Sequence, residues 1–268
     1  MITEIQGSWS FVLGVSSGFG RAVARALAER GGNVIGVHFD TADGAEAAAK
    51  FADELRDTGV SVHFFNLNAA SASTRREVVG QAVELAGDKG VRILLHSLAF
   101  GSLLPFAPSP DGPQEQETVN SRQLAMTLDV MANSLVYWTQ DLLAAGLLRR
   151  GAKIYGMTSA GSTQVLDSYG PVSAAKAALE AHLRQLAAEL APRGIAANAL
   201  RAGTTLTPAL EKIPHSAAYA EVCRARNPHK RLTEPEDVAE AIVLLSMSDS
   251  SWLTGNVIGI DGGEILTA

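Results

Sequence analysis

The sequence contains little cysteine, no long apolar run and no excess of positive charge. Its single cysteine, Cys223, cannot form an intramolecular disulfide, which agrees with a reducing compartment. No apolar run approaches the roughly 20 residues that span a bilayer, and residues 1–6 lack the basic start and apolar stretch of a signal peptide. The net charge of −6 argues against general nucleic-acid binding. We therefore expect a cytoplasmic protein that binds neither membranes nor nucleic acids.

Apolar strand-like runs alternate with longer helical segments along the whole chain. With 268 residues, 47% of them hydrophobic, one large core can form, so we expect a single domain over residues 1–268. The alternation predicts an α/β fold, a Rossmann-like doubly wound parallel sheet of about seven strands with helices on both faces. The predicted strands lie near residues 8–13, 33–38, 61–66, 91–96, 152–158, 195–200 and 256–260. The predicted helices span residues 19–30, 43–58, 72–86, 121–146, 172–191 and 235–246.

Two long irregular segments, residues 101–118 and 203–229, interrupt this pattern. Both follow predicted strand ends, where ligands bind in a doubly wound sheet. We expect them to cover the substrate.

A glycine-rich turn joins the first predicted strand to the first predicted helix. Glycines at this spacing let backbone N–H groups approach a pyrophosphate at a helix N-terminus. Two alternatives stay open from the turn alone: a tight connection with no ligand, or the GxSxG nucleophile elbow of an α/β hydrolase. The elbow comes too early in the chain for that class, because several strands precede it there. The candidate cofactor-binding residues in the turn are Gly14, Ser16, Ser17, Gly18, Phe19 and Gly20.

Tyr169 and Lys176 form a candidate catalytic pair downstream of this turn. A phenol with a reference pKa near 10 is a reluctant proton donor at neutral pH. A lysine about 4 Å away, at an effective dielectric of about 20, contributes roughly 4 kcal/mol, or about three pK units. Because Pro171 fits a first helical turn, we expect Tyr169 in the preceding loop and Lys176 in the second turn. The alternative is an exposed loop tyrosine and a surface lysine.

Several motifs together resemble the short-chain dehydrogenase/reductases over nearly the whole chain. Gly14 to Gly20 resembles their GxxxGxG turn, Ala202-Gly203 their PG motif, and residues 257–263 their C-terminal strand and turn. Two details resemble the enoyl-acyl-carrier-protein reductase branch. These are the HSLAF run at residues 96–100, where most members show NNAG, and the six residues between Tyr169 and Lys176, where most members have three.

The resemblance implies roles for the residues around the candidate pair. In the family, the tyrosine hydroxyl meets the substrate carbonyl oxygen and the lysine holds the nicotinamide ribose. The serine of carbonyl-reducing members falls at or near Thr158, and the second tyrosine of many enoyl reductases falls at Ser159. Ser159 is a candidate catalytic residue that can still hydrogen-bond a carbonyl; the alternative is a local structural role. The relay asparagine of carbonyl-reducing members is replaced by Met131. Tyr155 is a weak candidate for the missing relay; the alternative, which its strand position favours, is a buried structural role.

The resemblance also implies contacts to the rest of a dinucleotide. The acidic residue that selects NAD falls at His38, so the usual discriminator is missing. Asn66-Leu67 resembles the pair that holds the adenine, and Gly203 belongs to the PG motif. Further expected contacts are the adenosine ribose with Ser97, Leu98 and Ala99, the carboxamide with Thr205, and the pyrophosphate with Thr207.

The segment after the second predicted strand favours NADH over NADPH. No Arg or Lys lies between Gly31 and Ala49, whereas a 2′-phosphate normally needs a cation there. Asp40 would also repel the phosphate. NADPH is not excluded. If NADPH were the preferred cofactor, a distant base such as Arg75 would have to reach its 2′-phosphate.

A basic cluster near the second irregular segment stands out in this acidic chain. It could meet an acidic carrier protein or the phosphates of coenzyme A; the alternative is a solvated loop and helix start. The histidines show no HxxH or HExxH spacing, so a metal site has no support. The cluster consists of Arg224, Arg226, His229, Lys230 and Arg231.

Taken together, the motifs favour an NAD(P)H-dependent reductase of a trans-2-enoyl thioester on acyl carrier protein or coenzyme A. The main alternative is a carbonyl reductase or alcohol dehydrogenase of the same superfamily, which fold alone does not exclude. A non-catalytic dinucleotide sensor and an α/β hydrolase are remote alternatives. The resemblance also implies a homotetramer, with segments 121–146 and 172–191 as interface helices.

Overall fold

A computed structural model describes residues 4–110, 116–213 and 216–267 of the chain. Part of each predicted covering loop, residues 111–115 and 214–215, therefore lies outside the described residues, as do residues 1–3 and 268.

The strands form one parallel sheet of seven, in the order β3-β2-β1-β4-β5-β6-β7. This confirms the predicted fold class. The near-continuous apolar strands fit a sheet covered on both faces. The first strand, for example, is buried at all five positions. The strands are Trp9–Leu13 (β1), Asn33–His38 (β2), Val62–Asn66 (β3), Val91–His96 (β4), Leu148–Thr158 (β5), Ala196–Ala202 (β6) and Val257–Ile260 (β7).

Helices connect the strands and cover both faces of the sheet. Side chains on one face pack around Trp138, and those on the other around Phe51 and Tyr155. The α-helices are Gly18–Ala28 (α1), Ala42–Arg56 (α2), Ala72–Ala86 (α3), Ser121–Leu128 (α4), Ser134–Ala144 (α5), Gly170–Leu190 (α6), Pro208–Glu211 (α7), Ser216–Arg226 (α8) and Pro235–Ser246 (α9). No helix of the described residues is long and apolar enough to cross a membrane.

The predicted helix over 121–146 is interrupted in the structure. A π-helical turn, Asp129–Asn133, separates α4 from α5. Such turns widen the backbone spiral and often occur at functional sites. Within this turn, the Val130 carbonyl accepts a hydrogen bond from the Ser134 hydroxyl at 2.7 Å. The sequence analysis treated residues 121–146 as one continuous helix and did not reveal this interruption.

The strand order reverses at β1, which pairs with β2 on one side and β4 on the other. A crevice therefore opens between the carboxyl ends of β1 and β4, the place where doubly wound sheets bind ligands. The glycine-rich turn after β1 and the segment after β4 meet there.

Candidate active site

The turn after β1 requires glycine for two different reasons. Gly14 has a φ of +87°, and a Cβ there would overlap the Ser97 carbonyl oxygen, just after the neighbouring strand β4. A Cβ at Gly20 would overlap the Gly14 carbonyl oxygen. The turn and the start of α1 are thus pressed together, which leaves the α1 N-terminus facing the crevice. A helix N-terminus with free N–H groups favours a phosphate, so this cradle fits the pyrophosphate of a dinucleotide.

A cavity at the carboxyl end of the sheet brings many of the predicted site residues together. Its wall combines the start of α1, the segment after β4, the ends of β5 and β6, and the start of α6. The predicted residues that line the cavity are Ser17, Gly18, Phe19, Ser97, Leu98, Ala99, Ser159, Tyr169, Lys176, Gly203, Thr205 and Thr207.

The other predicted residues do not line this cavity. The turn next to the cavity contains Gly14 and Ser16, and the first turn of α1 contains Gly20. His38 and Asn66 lie at the ends of β2 and β3. The latter positions lie on the β2 side of the crevice, where the adenosine end of an extended dinucleotide would reach.

At the end of β2, a small polar cluster holds Asp40 in place. His38 Nδ1 lies 2.8 Å from Asp40 Oδ2, and the His38 side chain is almost fully buried. The Asn66 amide binds the backbone of Asp40 twice, accepting from its N–H at 2.8 Å and donating to its carbonyl at 3.1 Å. Leu67 donates its N–H to the His38 carbonyl. Asn66 and His38 therefore hold Asp40 two residues beyond His38, the position at which the family resemblance places the cofactor-selecting residue.

Arg75 does not extend toward this cluster. Its Nε lies 2.7 Å from Asp141 Oδ2, and its guanidinium lies 5.0 Å from the centre of the Tyr137 ring. Both partners belong to α5. The distant base that the sequence offered for a 2′-phosphate is thus held on another element.

Tyr169 lies immediately before α6, where its hydroxyl faces Ser159. The Ser159 Oγ and Tyr169 Oη atoms are 3.4 Å apart. The Thr158 hydroxyl has a different partner, because it donates to Glu180 Oε1 at 2.6 Å. Of the two hydroxyl residues at the end of β5, Ser159 is therefore the one beside the tyrosine.

Burial raises the pKa of the Tyr169 phenol, and the hydrogen bond with Ser159 opposes this shift. The expected lowering of this pKa by Lys176 is not what the structure shows, because the pKa is raised and burial is the main cause. The phenol is consequently held in its neutral, hydrogen-bond-donating form at neutral pH.

Lys176 lies in the second turn of α6 and is buried. Its ammonium donates to the Met157 carbonyl at 2.7 Å. Burial lowers the pKa of Lys176 to about 8, while the charge of Glu180 opposes the shift. One donor is thus committed to β5, and an ammonium has two more for a ligand in the cavity.

His96, the first residue of the HSLAF run, ends β4 and is completely buried. Its Nε2 lies 2.8 Å from Ser134 Oγ, and Ser134 already donates to the Val130 carbonyl. His96 must therefore donate through Nε2. Burial, aided by the charge of Lys176, lowers the pKa of His96 to about 3, so the ring is neutral. The histidine ties β4 to the π-helical turn and does not itself line the cavity.

An apolar cluster surrounds the tyrosine on the side away from Ser159. Met131 is buried at the π-helical turn and lines the cavity at the predicted relay position. Gly101 allows the segment after β4 to approach, since a Cβ there would lie only 2.9 Å from Met131 Sδ. The cluster consists of Met131, Tyr169, Val172 and Ala175, with Leu103, Leu128, Val130, Leu166 and Ile213 packed against it.

The structure bears on two alternatives that the sequence left open. Tyr155 is buried on the sheet away from the cavity, and its hydroxyl lies 3.2 Å from Ser246 Oγ. It cannot replace a relay at the cavity. In the basic cluster, Arg231 forms two hydrogen bonds with Asp237, at 2.6 and 2.7 Å, and Arg224 pairs with Glu221. Two of the five residues of the basic cluster are therefore paired with carboxylates.

Glu264 is a cavity residue that the sequence analysis missed. It is buried after β7 and accepts hydrogen bonds from Thr204 N at 3.0 Å and Thr204 Oγ1 at 2.9 Å. The available signal was weak: a single acidic residue directly after the 261–263 DGG turn and before apolar Ile265 and Leu266.

The chain is similar in sequence to known proteins over nearly its whole length. A family model described as enoyl-(acyl carrier protein) reductase matches residues 14–264. The chain is 30% identical over 254 residues to cis-4-hydroxycyclohexanecarboxylate dehydrogenase from Sinomonas cyclohexanicum, covering 94% of each. It is 27% identical to the 3-oxoacyl-(acyl-carrier-protein) reductase FabG of Thermotoga maritima, covering 98% of this chain and 100% of that one.

Among solved structures, a short-chain dehydrogenase from Burkholderia cenocepacia J2315, crystallised in complex with NADP, superimposes with a TM-score of 0.81. It is 27% identical, covering 98% of this chain and 100% of that chain. The family model covers nearly the whole chain. The protein belongs to the short-chain dehydrogenase/reductase family described by that enoyl reductase model, and is an NAD(P)-dependent oxidoreductase.

Proposed function

We propose that this oxidoreductase reduces the carbon–carbon double bond of a trans-2-enoyl thioester, with Tyr169 as hydrogen-bond donor to the thioester carbonyl. The observation that carries the proposal is the environment of Tyr169: a neutral phenol in an apolar cluster, with Met131 where a proton relay would need a polar side chain. A bound reduced nicotinamide would supply the hydride.

The two possible reductions make different demands on these side chains. Adding hydride to a ketone creates an alkoxide that must be protonated at oxygen, and this favours a polar relay behind the donor. Adding hydride to the β-carbon of an enoyl thioester creates an enolate, whose oxygen needs chiefly a hydrogen-bond donor before protonation at carbon. A buried phenol whose pKa is raised by its surroundings is suited to the second task, because it donates without losing its proton.

Ser159 and Lys176 complete the proposed site. Ser159 lies within 3.4 Å of the Tyr169 hydroxyl and would orient it toward the carbonyl. Lys176, fixed by the Met157 carbonyl, would direct its other two donors to the nicotinamide ribose. Thr205 is buried at the end of β6 and would offer backbone groups to the carboxamide.

Reduction of a ketone is the second candidate function. The pairing of Ser159 with Tyr169 supports it, because two hydroxyls can share one carbonyl oxygen. The similarity to a 3-oxoacyl reductase supports it as well. A hydrolase is not retained, since the GxSxG serine, Ser16, follows the first strand of a short-chain dehydrogenase sheet and does not line the cavity.

The preferred cofactor in this proposal is NADH. Asp40 places a carboxylate at the end of β2, His38 and Asn66 hold it there, and Arg75 is engaged with α5. A 2′-phosphate would meet a negative charge and no nearby cation from the 31–49 segment.

Further parts of the proposal concern assembly and location. We propose a homotetramer whose interface helices include α5 and α6, acting in the cytoplasm as one reductase domain on a thioester of acyl carrier protein or coenzyme A. Sedimentation at micromolar concentration tests the assembly: a species of four chains is expected, and a monomer alone would contradict it.

The function is tested by incubating the pure protein with NADH and, separately, crotonyl and acetoacetyl thioesters of coenzyme A. We expect NADH oxidation with the enoyl substrate, butanoyl thioester as its product by mass spectrometry, and little turnover of the keto substrate. Formation of 3-hydroxybutanoyl thioester, with no butanoyl product, would assign ketone reduction. No turnover of either substrate, despite cofactor binding, would favour a dinucleotide sensor.

A further inference from the structure

Glu264 is a buried carboxylate in the wall of the cavity, and among the described residues the donors to its side chain belong to one residue. Thr204 donates to it from its backbone N–H at 3.0 Å and from its hydroxyl at 2.9 Å. The side chain lines the same cavity as Lys176, Thr205 and the start of α1. A carboxylate can accept about four hydrogen bonds, so part of its capacity is unused.

The segment that Glu264 holds is itself fixed from several directions. The Thr204 carbonyl accepts from the Thr233 N–H at 3.1 Å, and the Gly203 N–H donates to the Ile260 carbonyl at 3.1 Å. Thr205 donates its hydroxyl to the Gly203 carbonyl. Because these bonds already fix the backbone, a charged side chain is not needed merely to hold Thr204.

The charge of Glu264 has no cationic partner among the residues that the structure describes, since none of their ion pairs includes it. Buried carboxylates are normally paired with a cation. The other charged groups of the cavity wall are Lys176, which is buried and lies near the Glu180 carboxylate, and Lys212, which is exposed. The phenol of Tyr219 also faces Glu264, and its pKa is raised to about 12 by burial, by Cys223 and by this carboxylate.

We infer that Glu264 provides the counter-charge for an oxidised, cationic nicotinamide ring and so sets the preference of the protein between NAD⁺ and NADH. The oxidised ring carries a positive charge and the reduced ring does not. A fixed carboxylate in the cavity wall, which also includes Thr205, would favour binding of the oxidised form. It would also stabilise the positive charge that a bound nicotinamide ring acquires on giving up hydride.

This inference rests on nicotinamide binding in the cavity, as in the proposed function, but it does not depend on which substrate is reduced. Glu264→Gln separates charge from position, because the amide can still accept from Thr204 N–H. Thr204→Val is the complementary variant, since it removes one donor and keeps the charge. Glu189→Gln, at an exposed position on α6, is the matched control for losing a carboxylate.

The measurement is the dissociation constant of NAD⁺ and of NADH for each protein by isothermal titration calorimetry, with a thermal melt to confirm folding. In Glu264→Gln we expect NAD⁺ binding to weaken about tenfold relative to NADH binding, which corresponds to about 1.4 kcal/mol. The ratio of the NAD⁺ to the NADH dissociation constant should stay within about twofold of the wild-type ratio in Thr204→Val and Glu189→Gln.

An unchanged ratio in Glu264→Gln, with both constants shifted equally or not at all, would overturn the inference and leave Glu264 a structural role. Wild-type protein that binds neither nucleotide would overturn the cofactor site and, with it, the proposed function. If the variant does not fold, the wild-type constants decide: tighter binding of NAD⁺ than of NADH is expected, and tighter NADH binding would overturn the inference.

Discussion

The two halves of the cavity are built in different ways. The half that would hold the dinucleotide is made largely of backbone: the turn from Gly14 to Gly20, the N-terminus of α1 and the fixed segment from Gly203 to Thr205. The half around Tyr169 is made of side chains from α4 to α6 and the segment after β4. In the proposed function, the first half would accept a ligand common to many enzymes, and the second would select the reaction. Variants in the two halves should therefore fail differently.

The largest effect is expected in the side-chain half. Tyr169→Phe keeps the ring in its apolar cluster and removes the hydroxyl, so turnover should fall at least about 10²-fold, the usual scale for a lost acid or oxyanion donor. NADH affinity should change by less than about twofold. Steady-state kinetics and calorimetry measure the two quantities, and unimpaired turnover would refute the role of the phenol.

The backbone half can be broken by one methyl group. Gly14 and Gly59 share a φ of +87°, but only at Gly14 would a Cβ overlap other atoms, whereas the surroundings of Gly59 are open. Gly14→Ala should weaken NADH binding more than tenfold or prevent folding, because the Ser97 carbonyl must move. Gly59→Ala should cost only the strain of the left-handed backbone, about 1 kcal/mol. If Gly14→Ala and Gly59→Ala had equal effects on melting temperature and NADH affinity, the proposed role of the Gly14 turn in binding the cofactor would be contradicted.

Lys176 connects the halves, and its burial predicts a pH dependence of stability. Its pKa is about 8 in the folded protein, below the ordinary lysine value of 10.5, so the unfolded chain binds more protons between these limits. The unfolding free energy should therefore rise with pH across this window, by up to roughly 3 kcal/mol in total. Denaturant unfolding at pH 7 to 9.5 should show this rise in wild type relative to Lys176→Met. Parallel pH profiles would contradict the buried ammonium.

The smallest effect is expected at the end of β2. Asp40→Asn removes a charge that is partly exposed, so screening limits its influence. We expect kcat/KM with NADPH to rise about fivefold relative to NADH, and Asp43→Asn in the first turn of α2 serves as the control. A wild-type preference for NADPH would contradict this account. It would direct attention to Arg21, whose guanidinium lies 3.9 Å from the centre of the Phe51 ring.

The same division explains what could be predicted from sequence. The seven strands and the cofactor turn were predictable, because buried parallel strands read as apolar runs and a close backbone approach demands glycine. The direction of the Tyr169 pKa shift was not, because it depends on burial by Met131, Val172 and Leu166, which come from separate elements. Glu264 was missed for the same reason, since its hydrogen-bond partner, Thr204, lies 60 residues earlier in the chain.

The π-helical turn at Asp129–Asn133 was equally hidden in the sequence. It places Met131 in the cavity and fixes His96 through Ser134. The relevant information is the bond between two distant segments, and no local pattern records such a bond.

The central claim is that the protein adds hydride to the carbon–carbon double bond of an enoyl thioester, and isotope transfer tests it most directly. The protein is incubated with crotonyl thioester and NADH carrying deuterium at the transferred position, and the product is analysed by NMR. We predict saturated butanoyl thioester with deuterium at the β-carbon and a solvent proton at the α-carbon. The contrary result is no deuterium in butanoyl product, together with deuterium at C3 of a 3-hydroxy thioester when the matching 3-keto substrate is supplied.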